Sequence, residues 1–245
     1  MSGVWVKVHP DQVGGGMEGV PDWAEVSLVD GATERIYVDN DGTTWHSYTW
    51  YTPTEVASST STTEIGSIRL TGEGLVSLLI VAGGGSGWSN SGGGGGGGVM
   101  GGLESMPGGI DLKVFVGSGT TSSSEPGGRS SIHDISMGGG FYRTPGSSGN
   151  GWPSTSNLTP GAGAGGSNTA TEPGPGLFFD WVEGPSAGLV EYGKGGRRST
   201  TNEGLFGEGG HYQPSTDTAN ANSGGRAGLV CVRVPQSFAK NAVVR

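Results

Sequence analysis

Few side chains in this chain are placed to do chemistry. Gly184-Pro-Ser-Ala-Gly188 matches the G-x-S-x-G elbow that exposes a nucleophilic serine between a strand and a helix. Leu189-Val-Glu-Tyr192 then runs into more glycine, so no helix is predicted to follow. No Asp stands between Ser186 and His211 to complete a triad. Gly188 to Lys194 nearly matches a phosphate-binding loop, but Gly195 stands where Ser or Thr must hold Mg²⁺. The four histidines, His9, His46, His133 and His211, have no metal-ligand spacing within one segment. Asp180 and Glu183 are the nearest carboxylate pair in this region, and turn polarity accounts for them. Cys231 stands alone in an apolar run and is expected to pack as a small buried hydrophobe. No enzymatic activity, cofactor or metal is expected.

The remaining candidates are aromatics set among small residues: Trp88, Phe141, Tyr142, Trp152, Trp181 and Tyr212. Aromatic side chains offer large contact area at low entropy cost and stack on sugar faces. Packed against each other, the same rings would instead close a small apolar core, the reading favoured for Phe178, Phe179 and Trp181. What must position them is glycine, 53 of 245 residues. With 32% hydrophobic and 14% charged residues, the chain lacks the apolar content of a large α/β enzyme. Glycine at this density is incompatible with a helical bundle, and its clustering is incompatible with a collagen repeat. The net charge of -9 disfavours nucleic-acid binding. No apolar stretch is long enough for a membrane-spanning helix, and the first residues lack a secretory pattern.

The predicted elements are strands. Val4–Val8, Trp23–Val29 and a hairpin of 35–38 and 43–51, turning at Asp41-Gly42, form an expected N-terminal β domain over residues 1–55. Residues 56–65 read as a Ser/Thr linker. Residues 66–236 read as a second domain and 237–245 as a tail. Strands at 66–70, 75–82, 110–116 and 228–234 frame the glycine-rich stretch. Strand 75–82 is almost wholly apolar, so both its faces should be covered.

Clustered glycine has a packed alternative to a floppy linker. Polyproline-II rods have three residues per turn and no internal hydrogen bonds. Without Cβ atoms, such rods can approach and bond to one another. Gly83–Gly85 lead into the run Gly92, Gly93, Gly94, Gly95, Gly96, Gly97 and Gly98, which as a rod would span about 22 Å. Further rods are expected at Gly138–Gly140, Gly161–Gly166, Gly193–Gly196, Gly207–Gly210 and Gly224-Gly225. The predicted class is all-β, with polyglycine-II-like segments and little or no α-helix.

Four segments occur in order: Leu79-Ile-Val-Ala-Gly-Gly-Gly85, Val114-Phe-Val-Gly-Ser-Gly119, Pro126-Gly-Gly-Arg-Ser-Ser131 and Ser223-Gly-Gly-Arg-Ala-Gly-Leu-Val-Cys-Val-Arg-Val234. This set resembles the glycine-rich domain of bacteriophage tail fibres, tail-tip adhesins and minor tail proteins. Ile36-Tyr-Val-Asp-Asn-Asp-Gly-Thr-Thr-Trp45 is similar to a segment near the start of phage minor tail proteins. Residues 145–225 depart from the pattern in carrying more Pro, Ser and Thr. The resemblance implies a virion protein at the tail tip or fibre, made in the host cytoplasm and assembled as a homotrimer. It implies attachment to other tail-tip or baseplate proteins through the N-terminal domain. It further implies contact with a host-surface glycan through Trp88, Phe141, Tyr142, Trp152, Trp181 and Tyr212.

Overall fold

A computed structural model describes residues 22–52, 56–57, 61–87, 93–122, 125–141, 159–161, 176–196, 206–209 and 224–245. The expected strand Val4–Val8 lies outside them. The strands are β1 (Val26–Asp30), β2 (Thr33–Val38), β3 (Thr44–Tyr51), β4 (Val56–Ala57), β5 (Thr62–Leu70), β6 (Gly74–Val81), β7 (Val99–Met106) and β8 (Asp111–Gly117). They continue as β9 (Gly119–Thr120), β10 (Ser130–Ile132), β11 (Ile135–Met137), β12 (Thr159–Gly161), β13 (Leu177–Phe179), β14 (Val190–Tyr192), β15 (Leu229–Pro235) and β16 (Val243–Val244). Two short 3-10 turns, Pro185–Ala187 and Gln236–Phe238, are the helical elements among the described residues. The protein is all-β.

Two six-stranded sheets carry the fold, ordered β12-β7-β6-β15-β3-β2 and β11-β10-β8-β5-β1-β16. Period-2 alternation explains how their cores separate. Along β6, Val76, Leu78 and Ile80 point between the sheets, while Leu79 and Val81 point to the outer face. The inner core also takes Tyr48 and Trp50 from β3 and Val230, Val232 and Val234 from β15. The outer core is closed by Phe179, Val182 and Tyr192, which belong to or flank the β13–β14 hairpin. Both faces of β6 are therefore covered, as its nearly continuous apolar run requires.

The expected domain boundary does not divide the molecule. β3, from the supposed N-terminal domain, pairs with β15 from Leu229↔Tyr51 to Pro235↔Trp45. β1 pairs with β5. A separate domain would have left β15 with one bare edge, whereas β3 and β6 flank it on both sides. The supposed linker is partly strand, since β5 begins at Thr62 and β4 pairs with β9. The supposed tail supplies β16, which pairs parallel with β1.

Two close approaches need glycine. A Cβ on Gly66 would strike the Asp30 carbonyl and the Trp50 indole, whose Nε1 donates to that carbonyl at 2.8 Å. A Cβ on Gly101 would strike the Phe179 ring, so this β7 glycine is the seat of an outer-core aromatic.

Candidate functional site: a bundle of glycine rods

Beyond the ends of β6, β8, β11, β14 and β15 the chain continues as extended glycine-rich segments that bond to one another. The N–H groups of Ala82, Gly83, Gly84 and Gly85 donate in turn to the carbonyls of Gly98 (2.9 Å), Gly128 (2.9 Å), Arg226 (2.8 Å) and Gly95 (2.9 Å). Three consecutive residues thus reach three different neighbours, and the fourth returns to the first. That cycle is the three-residue period of a polyproline-II rod, whose N–H groups point outward in three directions. Segment 93–98 repeats it: Gly95 and Gly98 donate to Phe141 (2.8 Å) and Gly138 (3.0 Å), and Gly97 donates to Gly207 (2.8 Å). In segment 224–228, Gly225 and Gly228 donate to Thr120 (3.0 Å) and Gly117 (2.9 Å), with Arg226 reaching Glu208 (2.8 Å) between them. Gly196 adds a bond to Gly94 at 2.8 Å.

Side chains would destroy this packing. A Cβ on Gly83, Gly84, Gly94, Gly96, Gly97, Gly119, Gly127, Gly139, Gly209 or Gly225 would fall on a backbone carbonyl of a neighbouring segment. The buried polar backbone is satisfied between rods, as any buried backbone must be. Rods at 138–140 and 224–225 coincide with sequence expectation; at 193–196 and 207–209 the first glycine, Gly193 or Gly207, has φ of 69° or 70° and turns the chain instead of continuing a rod. Gly92, residues 162–166 and Gly210 lie outside the described residues, and Gly161 belongs to β12. Segments 117–122 and 125–129 are additional members; their glycines are spaced out by Ser, Thr, Glu and Pro, which hid them from a search for runs.

Of the aromatic candidates, Phe141 is 36% exposed, and its carbonyl holds the Gly95 N–H. Trp88, Tyr142, Trp152 and Tyr212 lie outside the described residues.

Trp181 sits elsewhere. It is partly buried on the outer core, with its ring centroid 4.9 Å from that of Phe179. The Arg233 guanidinium lies between two indoles, 4.2 Å from the Trp45 ring and 4.2 Å from the Trp181 ring. Its Nη1 donates to Tyr37 Oη at 3.2 Å, and Tyr37 Oη donates to the Trp181 carbonyl at 2.9 Å. That carbonyl also accepts from Ser47 Oγ at 2.7 Å. Burial pushes the Tyr37 hydroxyl up to about 12, with the neighbouring Arg233 charge opposing part of the rise. The cluster clamps the β13–β14 hairpin onto the sheet.

Of the chemical candidates, His9 and His211 lie outside the described residues. Ser186 is exposed in the first 3-10 turn, with strand β14 after it instead of a helix. Glu183 pairs with Arg35 at 2.8 Å, and Lys194 with Glu191 at 3.4 Å. His46 contacts Glu34 at 2.8 Å, and His133 stands in the β10–β11 turn. Among the described residues no group of three or more His, Cys, Asp or Glu is placed to hold a metal. Cys231 is fully buried, and burial raises its thiol above the ordinary range. No described helix is long and apolar enough to cross a membrane. No protein-family model matches the chain, and no curated protein matches it significantly.

Proposed function

We propose that this chain is a structural protein of a bacteriophage tail, a minor tail protein at the tail tip or fibre that contributes to host-surface attachment. In this reading it assembles as a homotrimer, one pole joins the neighbouring tail or baseplate proteins, and the far face of the glycine bundle meets a host glycan. The supporting observation is the three-residue hydrogen-bond cycle that runs 82→98, 83→128, 84→226 and 85→95. It makes a stiff body from residues without side chains, which suits an appendage that must hold a contact surface away from its anchor. The ordered sequence resemblance supports the same reading. The N-terminal attachment role now falls on a pole of the sandwich, because residues 26–51 are built into both sheets.

The reading is tested on particles. Antibody raised against the chain should label the tail end of purified virions in negative stain, and mass measurement of the pure protein should give three copies. Absence of the protein from purified particles refutes the assignment. A strictly monomeric mass with a folded β spectrum refutes the trimer.

A further inference from the structure

β2 is the outermost strand of its sheet, and no described strand lies beyond it. Its ladder to β3 fixes which backbone groups face outward. The Asp39 N–H donates to the Thr43 carbonyl at 2.8 Å, one step past the Val38↔Thr44 pair. Antiparallel ladders alternate hydrogen-bonded and non-hydrogen-bonded pairs. Tyr37, Arg35 and Thr33 therefore bond to β3, and the N–H and C=O groups of Glu34, Ile36 and Val38 point to the open edge.

The same edge is apolar. Ile36 is 56% and Val38 57% exposed, and the outermost strand of the facing sheet, β16, shows Val243 and Val244 at 51% and 39%. The two edges lie on one side of the molecule, since Gly31, in the turn from β1 to β2, donates to the Arg245 carbonyl at 3.1 Å. Proteins blunt such edges with free charges, proline or brevity. β2 is six residues long and has no proline. Its two charges are turned aside, Arg35 to Glu183 and Glu34 to His46, each at 2.8 Å. An uncovered strand of this kind is a template for another strand.

We infer that the Val4–Val8 segment of the same molecule adds to the open edge of β2 as a seventh strand of the sheet. The tether permits it. Trp23 has its ring centroid 5.3 Å from that of Trp45, and Trp45 is the β3 partner of Tyr37, so the chain enters the fold beside this edge. Thirteen residues, 9–21, join Val8 to Asp22. Extended, they reach about 43 Å, whereas a strand beyond β2 lies two strand spacings, about 10 Å, from β3. A tether of this reach favours the molecule's own edge over that of a second copy. The side chains fit as well. In Val4-Trp-Val-Lys-Val8 the three valines share one face. Laid on the side of Ile36 and Val38, they form β-branched cross-strand pairs and leave Trp5 and Lys7 on the other face. The new edge is short and carries a lysine, which ends the ladder. The inference stands whether or not the chain belongs to a virion.

The test is amide hydrogen exchange of the full chain, followed by NMR. The Glu34, Ile36 and Val38 amides should exchange at least about tenfold more slowly than in a Val6→Asp/Val8→Asp variant. The Arg35 and Tyr37 amides, bonded to β3, should stay protected in both proteins and so show that the variant is folded. A nitroxide on a Ser2→Cys variant should broaden the Ile36 and Val38 resonances; Cys231 is fully buried and does not compete for the label. The broadening should persist when isotope-labelled, nitroxide-bearing chains are mixed into a large excess of unlabelled parent chains. The inference is overturned if the three edge amides are unprotected in the parent. It is overturned if their protection survives the double substitution, which gives the edge to another strand. Broadening that vanishes on mixing also overturns it and gives the edge to a second copy.

Discussion

Replacing Gly84 by Ala tests the rod bundle directly. Gly84 donates to the Arg226 carbonyl at 2.8 Å and accepts from the Thr120 N–H at 3.2 Å. An added Cβ would fall on the Glu208 carbonyl, which is itself the acceptor for the Arg226 N–H at 2.8 Å. One methyl group thus disturbs three hydrogen bonds joining four segments. At roughly 0.5–1.5 kcal/mol net per bond, partial loss of three costs about 1–3 kcal/mol. Forcing a methyl into a packed site adds about 1–3 kcal/mol. Stiffening the unfolded chain returns about 0.4–1 kcal/mol. The net loss is about 2–5 kcal/mol, a large share of the roughly 5–15 kcal/mol that holds a typical protein folded. At about 2–4 °C per kcal/mol for a chain of this size, the melting temperature should fall by roughly 5–15 °C. Gly72→Ala is the control, because nothing lies within 4 Å of its added Cβ and its φ is ordinary. That variant should melt with, or slightly above, the parent. Calorimetry of the three proteins decides the matter. Equal melting temperatures for Gly84→Ala and Gly72→Ala would show that the glycine segments are not bonded as rods, and the reasoning would fail.

Two other outcomes follow from the buried side chains. Arg233→Leu removes the cation held between Trp45 and Trp181 and the donor to Tyr37, so it should cost about 1–3 kcal/mol in urea unfolding and alter the near-ultraviolet circular dichroism of the indoles; an unchanged midpoint and spectrum would deny the clamp. Burial raises the hydroxyls of Tyr37, Tyr48 and Tyr192 above their ordinary value, Tyr37 to about 12. The unfolded chain therefore releases these protons at lower pH than the folded one. Stability should be level below pH 10, the ordinary tyrosine value, and fall as pH rises through about 12. Spectrophotometric titration should find Tyr37, Tyr48 and Tyr192 ionising above the ordinary tyrosine value; these three titrating near that value in the folded protein would contradict the packing.

Strand positions were legible wherever side chains alternate or run apolar. The stretches 66–70, 75–82, 110–116 and 228–234 fall on β5, β6, β8 and β15, and the Asp41-Gly42 turn joins β2 to β3. β7 was not legible. Its Gly101 and Gly102 interrupt any side-chain alternation, and the Phe179 ring that uses the bare backbone arrives from a segment far along the chain. β10 and β11 are three residues each, too short for a periodic signal. The packing favoured for Phe178, Phe179 and Trp181 holds for Phe179 and Trp181, which join the outer core, whereas Phe178 points out of it and is 42% exposed, because alternate residues of β13 face opposite sides. Arg233 stands in the apolar β15, and the two rings that hold it come from β3 and from the β13–β14 connection, which only the assembled fold brings together.

Residue types alone determined that this chain would be all-β, would bury strand 75–82 on both faces, and would need its glycines to pack backbone against backbone. Those properties follow from local sterics, side-chain alternation and the absence of Cβ atoms, all written residue by residue. Which rods touch, and that β3 lies between β2 and β15 within one sandwich, only the tertiary structure decided. Glycine segments look alike to one another. Their pairing is selected by where the attached strands end, and that is a property of the assembled sheets.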